Sequence, residues 1–130
     1  SQPMIIKRLE NLLGTPREVD WGNGMSRRFL VASERMGFSL TDTIVNAGTC
    51  SRLEYKQHLE ACYCISGEGE IRNDSTGQAY PILPGTMYAL DEHDAHHLIA
   101  KTDLRLVCVF LPALQGHETH HLGQDGTSSY

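Results

Sequence analysis

His58 and Glu60 stand two residues apart at the head of a β-favouring run, Ala61 to Ser66, which closes at Gly67-Glu68-Gly69. Side chains two apart on an extended strand point to the same face. His58, Glu60, Cys62 and Cys64 therefore share one side. A carboxylate on such a strand is costly unless it is paired or bound to a metal. Imidazole and carboxylate together suit a first-row transition metal. All seven histidines follow residue 57, and His93, His96 and His97 cluster near an expected strand start. A metal site built on Cys62-x-Cys64 would want further thiolates at ligand spacing, which the chain lacks. Those two cysteines read as small core hydrophobes.

Something has to carry these side chains. Turn signals recur at Asn46-Ala47-Gly48, Ser66-Gly67, Asn73 to Gly77, Pro84-Gly85, Glu92-His93-Asp94 and Thr102-Asp103. Short runs rich in Val, Ile, Tyr and Leu lie between them. Strands about every ten residues with turns between indicate an all-β sandwich or barrel rather than βαβ units. Leu104 to Leu111 is the most apolar strand. Met36 to Val45 alternates, with Phe38, Leu40, Asp42 and Ile44 against the hydroxyls of Ser39, Thr41 and Thr43. Phe29 to Ala32 reads as a strand and Met4 to Ile6 as a short edge strand. Arg8 to Leu13 has helical spacing and stops at Gly14, which predicts a short N-terminal helix. Beyond Pro112 the chain turns polar and Gly-rich. Residues 123–130 read as a mobile tail.

The 130 residues suit one domain with one core. Ser1-Gln2-Pro3 reads as a cloning remnant, so the domain is taken as 4–130. No apolar run approaches the roughly 20 residues needed to span a membrane. No signal-peptide pattern opens the chain, so a cytoplasmic protein is expected. The net charge of −5, with no basic cluster beyond Arg27-Arg28, argues against a nucleic-acid partner. In that compartment the four cysteines are expected as free thiols.

Gly48, Glu60 and Gly67 fall on the fixed positions of the first cupin motif, with Glu54 and Lys56 where its two histidines would stand. Pro84-Gly85 approximates the turn of the second motif, and Tyr88 occupies its histidine position. The chain thus resembles the cupins, small β-barrels that bind a metal inside. Three longer segments narrow the resemblance. They are Tyr55 to Glu70, Tyr80 to His96, and Leu104-Arg-Leu-Val-Cys-Val-Phe110. They resemble the ectoine synthases, and the likeness runs from about Met4 to about Gly126.

That resemblance implies a single-domain cupin β-barrel, a double-stranded β-helix of the jelly-roll kind. It implies a cytoplasmic, homodimeric, iron-dependent lyase. Its small-molecule substrate would be N4-acetyl-L-2,4-diaminobutanoate, cyclised to the compatible solute ectoine with release of water. Glu60, Tyr88 and His96 would hold ferrous iron, one carboxylate, one phenolate and one imidazole. Arg28, Thr41, Thr43, Tyr55, Phe110, Glu118 and His120 would bind substrate. Tyr55, His58, Glu118 and His120 are the candidates for catalysis. Glu118 and His120 lie on a polar stretch that would have to fold over the barrel mouth. The chain departs from the family pattern at Gly24, Arg52 and Glu54, which implies an altered pocket. Two other readings stand beside this one: a metal-dependent cupin lyase that cleaves dimethylsulfoniopropionate, and a non-enzymatic cupin that binds a small molecule.

Overall fold

Period-two burial runs through the strands of this chain and sets its architecture. A computed structural model describes residues 4–120 and Tyr130. Ten strands make up almost all of the regular structure. In chain order they are β1 (Glu18–Asp20), β2 (Gly24–Leu30), β3 (Ser39–Val45), β4 (Cys50–Leu53), β5 (Leu59–Ser66), β6 (Gly69–Asn73), β7 (Ala79–Ile82), β8 (Met87–Leu90), β9 (His96–Ala100) and β10 (Leu104–Leu111). β10 has the limits that its apolar run predicts.

The strands form two antiparallel sheets. One has the order β1-β2-β3-β10-β5-β8, the other β4-β9-β6-β7. The fold is all-β as expected. Among the described residues, however, the two sheets are separate hydrogen-bonded units rather than one closed ring. They meet through side chains: Cys62, Leu104, Leu106 and Phe110 of the first sheet share a buried core with Leu53, Ile71, Ile82 and Leu98 of the second.

Two sequence expectations change at the N-terminus. The expected helix over Arg8 to Leu13 is a single 3-10 turn at Leu9–Asn11. Only Leu12 is buried there, while Leu13 is 45% exposed, so no apolar face holds further turns. Met4 to Ile6, expected as an edge strand, pairs with no strand, and its three side chains are exposed. A strand is also longer than read: β2 begins at Gly24, not Phe29. Among the described residues no helix is long and apolar enough to cross a membrane.

Register makes the interior. Arg28 on β2 lies opposite Thr41 on β3, Thr41 opposite Cys108 on β10, Cys108 opposite Cys62 on β5, and Cys62 opposite Tyr88 on β8. One row of residues thus crosses five strands. The neighbouring row runs Ser39, Phe110, Glu60 and Leu90. The hydroxyl face of β3 is the inward one, with Ser39 and Thr41 fully buried. On its opposite face Asp42 accepts from Arg27 at 2.6 Å and from Arg105 at 2.7 Å, which ties β2, β3 and β10 together. Burial raises the Asp42 pKa, but the bonds from Arg105 and Arg27 outweigh it and leave the net shift downward. Removing this carboxylate strands the largely buried Arg27. Arg105 is 40% exposed and can turn to water, so the cost falls between those of buried and surface pairs. Asp42→Ala should lose about 2 kcal/mol of unfolding free energy in denaturant titration.

Candidate metal and ligand site

Glu60 is where the interior becomes chemically unusual. It alternates inward on β5 with Cys62 and Cys64, as the spacing predicts, and is buried. No cation pairs with it among the described residues. Burial raises its pKa to about 8, with the Cys62 and Cys108 thiols pulling the other way. Tyr88 projects beside it from β8. Burial, followed by nearby Cys62 and Glu60, pushes its phenol well above the ordinary value.

His96 opens β9 on the other sheet and is buried. Its Nδ1 lies 2.9 Å from the Asp94 carbonyl, so Nδ1 carries the proton and donates. Nε2 is then a bare lone pair, buried without a hydrogen-bond partner. Burial also lowers the His96 pKa and favours this neutral form. A desolvated carboxylate, a half-buried phenol and an orphaned imidazole nitrogen are donors that a divalent cation would satisfy. Tyr88 borders both relevant cavities: Glu60 lines one with it, His96 the other. The ligand atoms of Glu60, Cys62 and Cys108 also lie within 4.8 Å of one another.

The far end of the row is cationic. Arg28, which a surface reading would leave in solvent, is 0% exposed. Its Nε donates to Ser26 Oγ at 3.1 Å; its Nη2 donates to the Glu118 carbonyl at 2.6 Å and to Tyr130 Oη at 2.7 Å. Its Nη1 makes no hydrogen bond and stands 3.7 Å from Glu118 Oε1. The Glu118 carboxylate is itself pinned by the Gln115 and Gly116 amides, at 2.7 and 2.9 Å. Burial raises its pKa, but those amides and Arg28 more than offset this, so it stays ionised. Thr41 and Thr43 line up beside Arg28 with their hydroxyls 3.0 Å apart.

Aromatic rings close the walls. Tyr55 meets Phe110 edge-on at 5.3 Å, and His120 stacks on Tyr130 at 4.5 Å. Trp21 meets His120 edge-on at 5.7 Å, with its indole Nε1 donating to the Ile44 carbonyl. His93, in a left-handed turn (φ 56°), sits 2.8 Å from the Tyr55 carbonyl and 3.1 Å from that of His58. Its Nδ1 must therefore donate, and it fixes the loop that carries both residues.

Of the residues singled out from sequence, Thr43, Tyr55, Glu60, Tyr88, Phe110 and His120 line one cavity. Arg28 and Thr41 are buried beside it. His58 and Glu118 border an adjoining cleft instead. The stretch bearing Glu118 and His120 lies against Arg28 and Trp21, with both residues buried. Of the expected mobile tail, 123–129 lies outside the described residues, whereas Tyr130 is buried in the site. Cys108 and Tyr130 were not singled out from sequence as site residues. Trp21 was, as a tryptophan three residues before Gly24 that could stand in for the one the family carries there.

A Cβ on Gly24 would come within 1.8 Å of the Ile44 carbonyl oxygen, so no side chain fits there. The indole that lines the site comes from Trp21. Arg52 points outward and lies 3.5 Å from Asp74 and 3.7 Å from Glu54.

Glu60 gives a signed pH dependence for metal-free protein. Between its ordinary value of 4.5 and about 8 the unfolded chain ionises while the folded chain keeps the proton. Stability should therefore fall as pH rises through that window and level off above it. Melting temperatures of chelator-treated protein from pH 5 to 9 check this, and Glu60→Gln should flatten the slope.

A family model described as ectoine synthase matches residues 4–129. An L-ectoine synthase from Oceanobacillus iheyensis is 51% identical, covering 90% of this chain and 91% of its own. One from Desulfatibacillum aliphaticivorans is 53% identical, covering 90% and 92%. The crystal structure of ectoine synthase from P. lautus superposes with a TM-score of 0.84 at 50% identity, covering 87% of this chain and 81% of that one. A cupin 2 conserved barrel protein from Salinispora arenicola, at 18% identity and a TM-score of 0.65, shares the fold. On the strength of the family match and of relatives at half identity over nine-tenths of its length, this chain belongs to the ectoine synthase family.

Proposed function

We propose that this chain is an L-ectoine synthase that cyclises N4-acetyl-L-2,4-diaminobutanoate to ectoine, with ferrous iron held by Glu60, Tyr88 and His96. The observation that carries the reading is the polarity of the site. A buried guanidinium stands at one end of a five-strand row, and uncompensated metal-type donors stand at the other. The substrate has the matching polarity, a carboxylate at one end and an acetamide at the other.

The reaction forms one C–N bond and loses one water. The 2-amino nitrogen attacks the acetamide carbon, and the acetamide oxygen departs as water after taking up two protons. Bound iron would supply Lewis-acid polarisation of the acetamide. Arg28 holds the substrate carboxylate by charge-assisted hydrogen bonds, in the place that Tyr130 Oη fills in this structure. With Tyr130 there, the free volume is only about 30 Å³, room for a water or two, so Tyr130 yields when substrate enters.

Thr41 and Thr43 offer hydroxyls along the path. Tyr55 and Phe110 pack against the methyl and methylene groups and fix the folded conformer in which amine and carbonyl meet. Glu118 is a poor base because its oxygens are already taken, and it serves to position Arg28. His120 lines the cavity and is the imidazole placed to take a proton from the amine, while His58 stands in the adjoining cleft with its ring against Phe110 and Tyr130. A homodimer in the cytoplasm completes the reading. The exposed Met4, Ile5 and Ile6 are apolar surface that a second copy would cover.

Iron-loaded protein should convert the acetylated diaminobutanoate to ectoine, read by chromatography, and chelator-treated protein should not. Absence of turnover in the iron-loaded form would sink the proposal. Tyr88→Phe should abolish turnover if the phenolate is needed as a ligand; normal activity would remove it from the set. Arg28→Ala should raise KM by about 10- to 100-fold, the loss of one or two charge-assisted hydrogen bonds.

A further inference from the structure

We propose that Glu60, Cys62 and Cys108 form a second metal site, one for a thiophilic cation such as Zn²⁺ or Cd²⁺. Cys62 and Cys108 come from strands β5 and β10, far apart in sequence but directly opposite in register. Their Sγ atoms are 3.3 Å apart. The carboxylate of Glu60 completes a triangle whose ligand atoms all lie within 4.8 Å of one another, with all three residues buried. Tetrahedral zinc with Zn–S bonds of about 2.3 Å sets its two sulfurs about 3.8 Å apart. The pair therefore needs to open by about half an ångström, within the reach of a χ1 adjustment. Tyr88, opposite Cys62, lines the same cavity and stands ready as a fourth donor.

Cys64 does not belong to this site. Its Sγ donates to the Ser66 carbonyl at 3.3 Å, so the pair adjacent in sequence is not the pair that could ligate. Two thiolates select zinc or cadmium, whereas the carboxylate, phenolate and imidazole of the proposed iron set are harder. Binding is a simple exchange: M²⁺ enters, both thiols and the Glu60 carboxyl, where protonated, lose their protons to solvent, and no electron moves. Glu60 belongs to both sets, so the two ions exclude one another. A thiophilic metal there would take Glu60, and Tyr88 as its fourth donor, out of the proposed iron set and leave His96 without them. The site stands on geometry alone, and only its consequence for turnover rests on the ectoine synthase reading.

Cadmium titration of the metal-free full chain tests it. One equivalent of Cd²⁺ should raise a thiolate-to-cadmium charge-transfer band in the ultraviolet. The ¹¹³Cd NMR shift of the wild type should fall in the range of two sulfur ligands with oxygen, which needs no variant. Cys62→Ser and Cys108→Ser should each lose the band, checked for folding by circular dichroism. His96→Ala and Cys50→Ser should keep it. Cadmium bound with no charge-transfer band, an oxygen-nitrogen ¹¹³Cd shift, or a band that survives both core substitutions but falls with Cys50→Ser would overturn the site. In a separate arm, one equivalent of Zn²⁺ should displace iron from loaded protein, read by metal analysis after gel filtration. Retention of both metals would contradict the shared carboxylate.

Discussion

A carboxylate has been taken out of water on the inner face of β5, and no described residue meets it with a cation. Glu60 on that strand is buried, and the nearest groups are thiols and a phenol rather than an arginine or lysine. In a purely structural interior the position would hold an apolar residue, at a gain of a few kcal/mol. Its retention makes sense when a divalent ion supplies the missing charge. The donors proposed to share that ion stand around it: Tyr88 comes from the adjacent strand, and His96 donates from Nδ1 to the Asp94 carbonyl, which leaves Nε2 as a bare lone pair.

The rest of the interior is organised by register. Antiparallel pairing across β2, β3, β10, β5 and β8 sets Arg28, Thr41, Cys108, Cys62 and Tyr88 in one line. Cation, hydroxyl, thiol and phenol thus follow one another from strand to strand. A slip of one residue on any of these strands would turn its members outward. The Asp42 ladder on the opposite face, with Arg27 and Arg105, resists such a slip in three of the five, β2, β3 and β10.

Much of this was legible in the sequence, for physical reasons that are local. Alternation along β5 placed Glu60, Cys62 and Cys64 on one face. Alternation along β3 separated Thr41 and Thr43 from Asp42, and the unbroken apolar run of β10 marked its limits. What stayed hidden depends on contacts between distant strands. No local pattern tells that Cys108 faces Cys62, that Arg28 turns inward while Arg27 turns to Asp42, or that Tyr130 reaches Arg28. The N-terminal segment misled for the converse reason. Helical spacing from Arg8 to Leu13 is a local signal, and it failed because only Leu12 finds a buried face. At Gly24, where the chain departs from family pattern, the backbone of Ile44 leaves no room for a side chain on this chain path.

The claim on which the account turns is that Glu60, Tyr88 and His96 hold one iron together. The most direct measurement is the visible absorption of protein loaded with one equivalent of iron and then oxidised to the ferric state. A phenolate bound to ferric iron gives a charge-transfer band in the visible. The account predicts that band in the wild type, its loss in Tyr88→Phe, and its persistence in Tyr55→Phe. Iron bound at one equivalent without any visible band, or a band that survives Tyr88→Phe, would contradict it.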